Sequence, residues 1–341
     1  MNPFAYASPT SVEEALSLLP SEGWRGQEDG AARPLAGGTD LIPLLKSGLA
    51  APARLVDVKR LEGIAGGIAE TAGGVTLGAL TTLAGVEQSA LLQERYPALP
   101  QAAAVAATPQ LRNMATIGGN LLQRPRCWYF RNPHLDCWLK GGDGCPAAEG
   151  QNQLHALFDA GPCHAVHPSD LATALHALDA AVRLRGPGGE RTLPVADFFA
   201  PPEDARRTET VVRADELLLD VRLPGSPRGT RSTYLKAMDR KVWAFALVGV
   251  AAVLRLDGRR IAHARVTLGG VATVPWRARE AENLLHGADV DADETLFERA
   301  AAAALEGATP LAHNAYNAYN AYKVPIAHTL VRRALAALAT A

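Results

Sequence analysis

All four cysteines of this 341-residue chain, Cys127, Cys137, Cys145 and Cys163, fall in one Pro- and Gly-rich stretch with the spacing C-x9-C-x7-C-x17-C. Thiols scattered at random would not crowd together in this way. Thiolates are soft ligands that suit iron-sulfur clusters and zinc, so the clustering points to a bound inorganic centre. Structural zinc sites usually carry close C-x(2–4)-C pairs, which the sequence lacks, and disulfides need an oxidising compartment. Iron-sulfur is therefore the leading reading, with zinc and disulfides as its competitors. His134, His155, His164 and His167 lie in the same stretch and, with four thiols present, read as neighbours of the centre or surface groups. Trp128, Tyr129, Phe130 and Trp138 read either as a shield against water or as the small core of the segment.

An apolar share of 48% is that of an ordinary globular chain able to bury a sizeable core. With 34 Lys and Arg against 35 Asp and Glu there is no charge excess to attract a polyanion, which argues against nucleic acid as a partner. The N-terminus lacks a basic segment followed by an apolar core, and no apolar run reaches membrane-spanning length. The chain taken alone is expected in the cytoplasm, where thiols stay reduced or metal-bound.

Apolar periodicity predicts a helix over Ser11–Leu19 with Thr10 as N-cap, then a short strand at Arg33–Ala36, a glycine turn and a helix over Leu41–Lys46. Arg54–Val58 and Gly74–Ala79 read as strands, Val86–Leu92 and Leu99–Ala107 as helices. Beyond the cysteine stretch, Leu171–Asp179 reads as a helix, followed by a hairpin of Ala181–Leu184 and Arg191–Pro194 closed by Gly186–Gly189. Pro224–Gly229 marks a boundary. After it come candidate strands Ser232–Ala237, Ala244–Leu256 and Ile261–Leu268, and helices near Arg277–Leu285, Asp293–Leu305 and Ala327–Ala339. Periodicity does not separate strand from buried helix within Ala244–Leu256. The tandem Asn314-Ala-Tyr, Asn317-Ala-Tyr, Asn320-Ala-Tyr322 is too short for a repeat architecture and reads as slippage in a tolerant loop or helix start.

Ala36-Gly37-Gly38-Thr39-Asp40 follows an apolar strand, and paired glycines there let successive N–H groups approach a pyrophosphate. Ala115-Thr116-Ile117-Gly118-Gly119-Asn120 supplies a second glycine-rich turn for the same ligand. Neither turn fits G-x-G-x-x-G or the P-loop, so a Rossmann-type NAD site and a P-loop ATP site are not supported.

These two turns, together with Ser169-Asp170-Leu171, Asp215-Glu-Leu-Leu218 leading to Pro224, Tyr234-Leu-Lys236 and Leu268-Gly-Gly-Val-Ala272, resemble in order the FAD-binding subunit of the xanthine dehydrogenase family of molybdenum hydroxylases. The cysteine segment, about 121–166, resembles the four-iron four-sulfur loop of the periplasmic type of aldehyde oxidoreductase, and more loosely that of 4-hydroxybenzoyl-CoA reductase. Asn120-Leu-Leu-Gln-Arg124, Arg126-Cys127, Tyr129-Phe130, Gly144-Cys145 and His167-Pro-Ser-Asp170 carry the closer likeness.

The resemblance implies an α+β fold. An FAD-binding domain of the vanillyl-alcohol oxidase type would occupy 1–225, in parts of about 1–58 and 59–225, and a C-terminal α+β domain of antiparallel strands and helices would occupy 226–341. It implies FAD held by Arg33, Pro34, Leu35, Ala36, Gly37, Gly38, Thr39, Asp40 and Leu41, with Thr116, Gly118, Gly119 and Asn120. Asp170, Leu218 and Lys236 would lie along the flavin, with Leu218 against the ring, and Trp243 is a further candidate near its face. A 4Fe-4S cluster would sit on Cys127, Cys137, Cys145 and Cys163. No residue is assigned to the catalysis of hydroxylation, which the resemblance places on a large subunit carrying the molybdenum cofactor. A small subunit would carry two 2Fe-2S clusters, and a ferredoxin, a quinone or oxygen would be the external acceptor. Export in complex with a signal-bearing partner would place the chain in the periplasm. The alternatives are a subunit of a 4-hydroxybenzoyl-CoA reductase-like, N-heterocycle or xanthine enzyme, and a zinc-stabilised nucleotide-binding protein without redox function.

Overall fold

The computed structural model of the chain describes residues 1–26, 30–64, 66–158, 161–291, 293–314 and 317–340. Its first unit is a small parallel sheet in the order β1 (Ala5–Ala7), β3 (Arg54–Asp57), β2 (Ala32–Leu35). Parallel neighbours require crossovers, and the helices Val12–Ser17 and Leu41–Lys46 lie in those two connections. The first helix starts one residue later than expected, because the Ser11 hydroxyl, not Thr10, accepts from the Glu14 amide at 3.1 Å. Val12, Ala15 and Leu16 form its buried face.

A five-stranded antiparallel sheet follows, with β4 (Ile68–Thr71), β5 (Gly74–Gly78), β6 (Ala181–Gly186), β7 (Gly189–Pro194) and β8 (Leu217–Pro224) in the order β4-β5-β8-β6-β7. Leu217 through Val221 are all buried, as suits a central strand covered on both faces. The β6–β7 turn is the expected glycine hairpin, with Gly189 at φ +114. The helix expected over Val86–Leu92 is in fact two, Leu83–Gln88 and Ala90–Arg95, because Ser89 takes an extended conformation and caps the second.

The last sheet is antiparallel in the order β12 (Trp276–Arg277), β11 (Arg260–Gly269), β10 (Val248–Asp257), β9 (Thr230–Ala237). Helices Arg279–Leu285, Leu296–Ala303 and Lys323–Thr340 cover one face. Along β10, Val250 and Ala252 join that helical core while Ala251 and Val253 join the core of the preceding units. Both faces are buried, which is why apolar periodicity alone left strand and helix unresolved here. Residues 244–247 are not strand, as the sequence reading had them, but a loop. Ala315 and Tyr316 of the Asn-Ala-Tyr tandem lie outside the described residues.

The cysteine segment has little regular structure beyond the helix Trp128–Arg131 and a helical turn at Trp138–Lys140. Phe130, Trp138 and Leu139 pack on Leu44 and Leu45 of the helix Leu41–Lys46, so the segment sits directly against the first glycine turn. Its far end belongs elsewhere: Leu157 and Phe158 are core residues of the last unit, with Phe158 stacked on Trp276 at 4.5 Å.

Candidate functional site

Where β2 ends, the chain turns through Ala36–Asp40 into the helix Leu41–Lys46. Among the described residues the N–H groups of Gly37, Gly38, Thr39 and Asp40 have no acceptor. Free amides just ahead of a helix suit phosphate oxygens. Gly38 adopts φ +72, open to glycine without strain. A Cβ on Gly37 would lie 1.8 Å from the Met114 carbonyl oxygen, so this glycine is what lets the first turn touch the chain entering the second.

The second turn plays a different part. Gly118 donates to the Ala79 carbonyl at 2.9 Å, and Gly119 to the Thr116 hydroxyl at 3.2 Å, which caps the helix Ile117–Leu121. These two amides are internally satisfied. The turn therefore lends shape, and Gly118 permits close contact with Ala79, the residue after β5.

Between the turns lies a cavity of about 140 Å³. Arg33, Pro34 and Ala36 through Leu41 wall one side, Thr116, Gly118 and Gly119 the other, and Leu218 of β8 contributes from the sheet. Leu35 lines no part of it and packs with the apolar cluster around Leu44. Arg25 and Arg124 also line it, and the sequence reading missed them because isolated arginines carry no motif. A second cavity of about 440 Å³ shares Thr39 and Asp40 with the first and is reached by Asn120, Asp170 and Trp243. The two form the lobes of one cleft.

Ser169 caps the helix Asp170–Ala177 and donates to Asn120 Oδ1 at 2.5 Å, joining the second turn to Asp170. Lys236 lines neither lobe. Its ammonium is buried behind Asp170, 2.8 Å from Oδ2, and also donates to the Val105 carbonyl, while the Tyr234 hydroxyl donates to Oδ1 at 2.6 Å. Lys236 thus reaches the cleft only by orienting Asp170. Trp243 stands at the lip with φ +56 and 60% of its surface exposed, its carbonyl held by Arg240 at 2.7 Å.

Asp40 turns its carboxylate toward the cysteine segment. It takes Arg126 at 2.7 Å, Arg131 at 2.8 Å and the Arg124 amide at 2.9 Å. Burial works against its ionisation, but Arg126 and Arg131 outweigh it and hold the carboxyl below the usual range. Burial draws Arg126 down to about 10, and its guanidinium lies 4.9 Å over the Phe245 ring. Arg126 immediately precedes Cys127, so one half-buried ion pair joins the glycine turn to the first cysteine.

All four cysteines are free thiols. Cys127 lies within electrostatic range of Cys137, Cys145 and Cys163, and Cys145 within range of Cys137 and Cys163. Burial first, and then these neighbours, push Cys127 up to about 11 and raise Cys137 and Cys163. Without a bound cation, burial favours the protonated thiols of Cys127, Cys137 and Cys163. Backbone amides already point at the sulfurs, including Ala165 to Cys163 at 3.5 Å. His155 Nε2 is 3.2 Å from Cys127 Sγ, and Trp128 meets the same imidazole edge-on at 5.1 Å. Burial, with Lys323 and His164 nearby, pulls His155 down to about 4, so the ring is neutral. His134 is exposed and outside this group. Among the described residues, no three His, Cys, Asp or Glu side chains converge closely enough to hold a single metal ion.

A family model described as the FAD binding domain in molybdopterin dehydrogenase matches residues 2–226, and one described as the CO dehydrogenase flavoprotein C-terminal domain matches 233–338. The aldehyde oxidoreductase FAD-binding subunit PaoB of Escherichia coli K12 is 39% identical over 294 residues, 85% of this chain and 88% of that protein. The carbon monoxide dehydrogenase medium chain of Hydrogenophaga pseudoflava is 31% identical over 285 residues, covering 83% and 80%. Among solved structures, carbon monoxide dehydrogenase from Hydrogenophaga pseudoflava lacking the Mo-pyranopterin moiety superposes with a TM-score of 0.74 at 30% identity, over 99% of this chain and 98% of that one.

Proposed function

The chain belongs to the FAD-binding medium subunits of the molybdenum hydroxylase family, and we propose that it is the FAD- and iron-sulfur-carrying electron-transfer subunit of a heterotrimeric aldehyde oxidoreductase. The observation that carries this reading is the contact between the two sites: four grouped thiols abut the cleft through the Asp40–Arg126 pair. Two redox centres placed this way suit a relay.

FAD fits the cleft. The amides of Gly37 to Asp40 would hold the pyrophosphate, Leu218 would pack against the ring, Asp170 would be presented by Lys236 and Tyr234, and Trp243 would cover the open side. Bound there, FAD links one-electron centres to an acceptor that takes electrons singly or as hydride.

The cysteines fit a 4Fe-4S cluster better than zinc. Structural zinc sites usually use close C-x(2–4)-C pairs, which the spacing C-x9-C-x7-C-x17-C does not contain, and four thiolates are the ligand set of a four-iron core. Phe130 and Trp138 are buried beside it and would keep water out.

In this reading residues 1–225 form the FAD-binding domain and 226–341 the C-terminal domain, and aldehyde oxidation takes place on a molybdenum-cofactor large subunit. Electrons reach this chain through the 2Fe-2S small subunit and leave to a ferredoxin, a quinone or oxygen. The 39% identity to an aldehyde oxidoreductase subunit supports the substrate class. No helix among the described residues is long and apolar enough to cross a membrane.

Anaerobic purification with the partner subunits, followed by iron, sulfide, zinc and FAD analysis per chain, tests the reading. Iron and FAD in the wild type, with the four-iron signal lost and FAD kept in Cys137→Ser, is the expected result. Zinc without flavin overturns it.

A further inference from the structure

Among the described residues, Lys323 is a buried cation with no carboxylate partner, and it sits against the backbone of His155. Lys323 opens the helix Lys323–Thr340, is fully buried, and directs its ammonium at the carbonyls of Leu154 at 3.3 Å, His155 at 2.9 Å and Gly270 at 2.5 Å. Those acceptors match its three N–H groups. No carboxylate among the described residues pairs with it, and burial alone draws the ammonium down to about 7. A buried, unpaired charge is costly unless an anion lies nearby.

Its neighbours converge on the same stretch. Asn320, also fully buried, donates to the carbonyls of His155 at 3.3 Å and Ala156 at 2.9 Å, and the Tyr322 hydroxyl to that of Gln153 at 3.0 Å. The Thr309 amide takes the Leu157 carbonyl at 2.8 Å. Every carbonyl from Gln153 to Leu157 is therefore gripped by the last unit of the fold. The central residue of this stretch carries the imidazole that meets Cys127 Sγ at 3.2 Å. The Nδ1 atom of that imidazole is buried without a partner. A lone pair tolerates that position better than an N–H, which puts the proton on Nε2, facing the sulfur.

We propose that the end of the Asn-Ala-Tyr tandem and the lysine after it form a clamp that sets the electrostatics of the cysteine site: Asn320 and Lys323 fix His155 so that Nε2–H donates to Cys127 Sγ, and Lys323 sets a buried positive charge behind that imidazole. The proposal rests on the iron-sulfur reading above. Both parts act in one direction. A hydrogen bond to a ligand sulfur and a nearby cation each favour the more negative, reduced state of a cluster and raise its potential. His155 and Lys323 are positioning residues, not ligands.

The test is an EPR-monitored redox titration of the purified complex, with iron and FAD content and the flavin potential as internal references. His155→Leu and Lys323→Met are each expected to lower the cluster potential while iron, FAD and the flavin potential hold, and His155→Gln, which keeps an amide donor, is expected to recover part of the shift. A wild-type complex without an iron-sulfur cluster overturns the reading and the proposal together. A wild-type cluster whose potential is unmoved in His155→Leu, with FAD retained, overturns the proposal alone. Should Lys323→Met not fold, the two His155 variants, whose changed atoms face the cysteine, still decide it.

Discussion

In the cleft, the groups that would meet a ligand are mainly the free backbone amides of the first glycine turn and small side chains of both turns, each turn carried on a short helix start and the two meeting at Gly37 and Met114. In the cysteine site they are side chains from an irregular segment, held at one end by the helix Leu41–Lys46 and at the other by the last unit of the fold. The difference shows where each site is vulnerable. A locally built site fails when its turn is distorted. A site built by distant supports fails when a support is removed, even one that touches no cysteine.

Phe158→Ala breaks the comparison most sharply. The side chain is 1% exposed and stacks on Trp276, so truncation should cost about 3–5 kcal/mol. Iron content should fall with it while FAD binding is largely kept, measured by thermal unfolding and cofactor analysis of one preparation. Equal loss of both cofactors would mean that the cleft leans on the last unit as much as the cysteine site does.

Asp40→Asn strikes a strut common to both sites. Leaving the Arg126 and Arg131 guanidiniums without their carboxylate should cost about 3 kcal/mol and lower FAD and iron content together. The folded carboxyl lies below its ordinary value, so the stabilisation is complete above that value and disappears as pH falls through the lower, folded one. Wild type should therefore lose its advantage over Asp40→Asn in melting temperature only in that acid window.

Gly37→Ala tests the local site. Its methyl would collide with the Met114 carbonyl, and parting the turns should cost about 1–3 kcal/mol, read as a roughly tenfold or larger loss of FAD affinity with iron unchanged. Thr116→Ala should have the smallest effect, about 1 kcal/mol for the lost cap, seen as a modest drop in FAD affinity and melting temperature.

Both glycine turns were legible in sequence because paired glycines let the backbone approach a ligand closely and two such turns could meet the same one, and the structure brings them together. Their division of labour was not legible. Free amides at Gly37–Asp40 and a satisfied one at Gly118 depend on what the rest of the fold offers them, and Ala79, which takes the Gly118 amide, is far from either glycine pair in the sequence. Lys236 was read as lying along the flavin but stands behind Asp170, because a motif records which residues gather and not which of them faces the ligand.

Composition and pattern by themselves determined many of the strands and helices, though not the strands Ala5–Ala7, Ile68–Thr71 and Leu217–Pro224, together with the two turns and the crowding of four thiols, since each depends on local backbone preference or on the chemistry of one residue type. Only the tertiary structure decided that Asp40 ties the turn to Arg126, that β10 is buried on both faces, and that the Asn-Ala-Tyr tandem, which reads as slippage in a tolerant loop or helix start, carries the buried Asn320 and leads into the buried Lys323. Those are pairings between residues tens to hundreds of positions apart. Their energy comes from burying polar groups against specific partners, which no local pattern encodes.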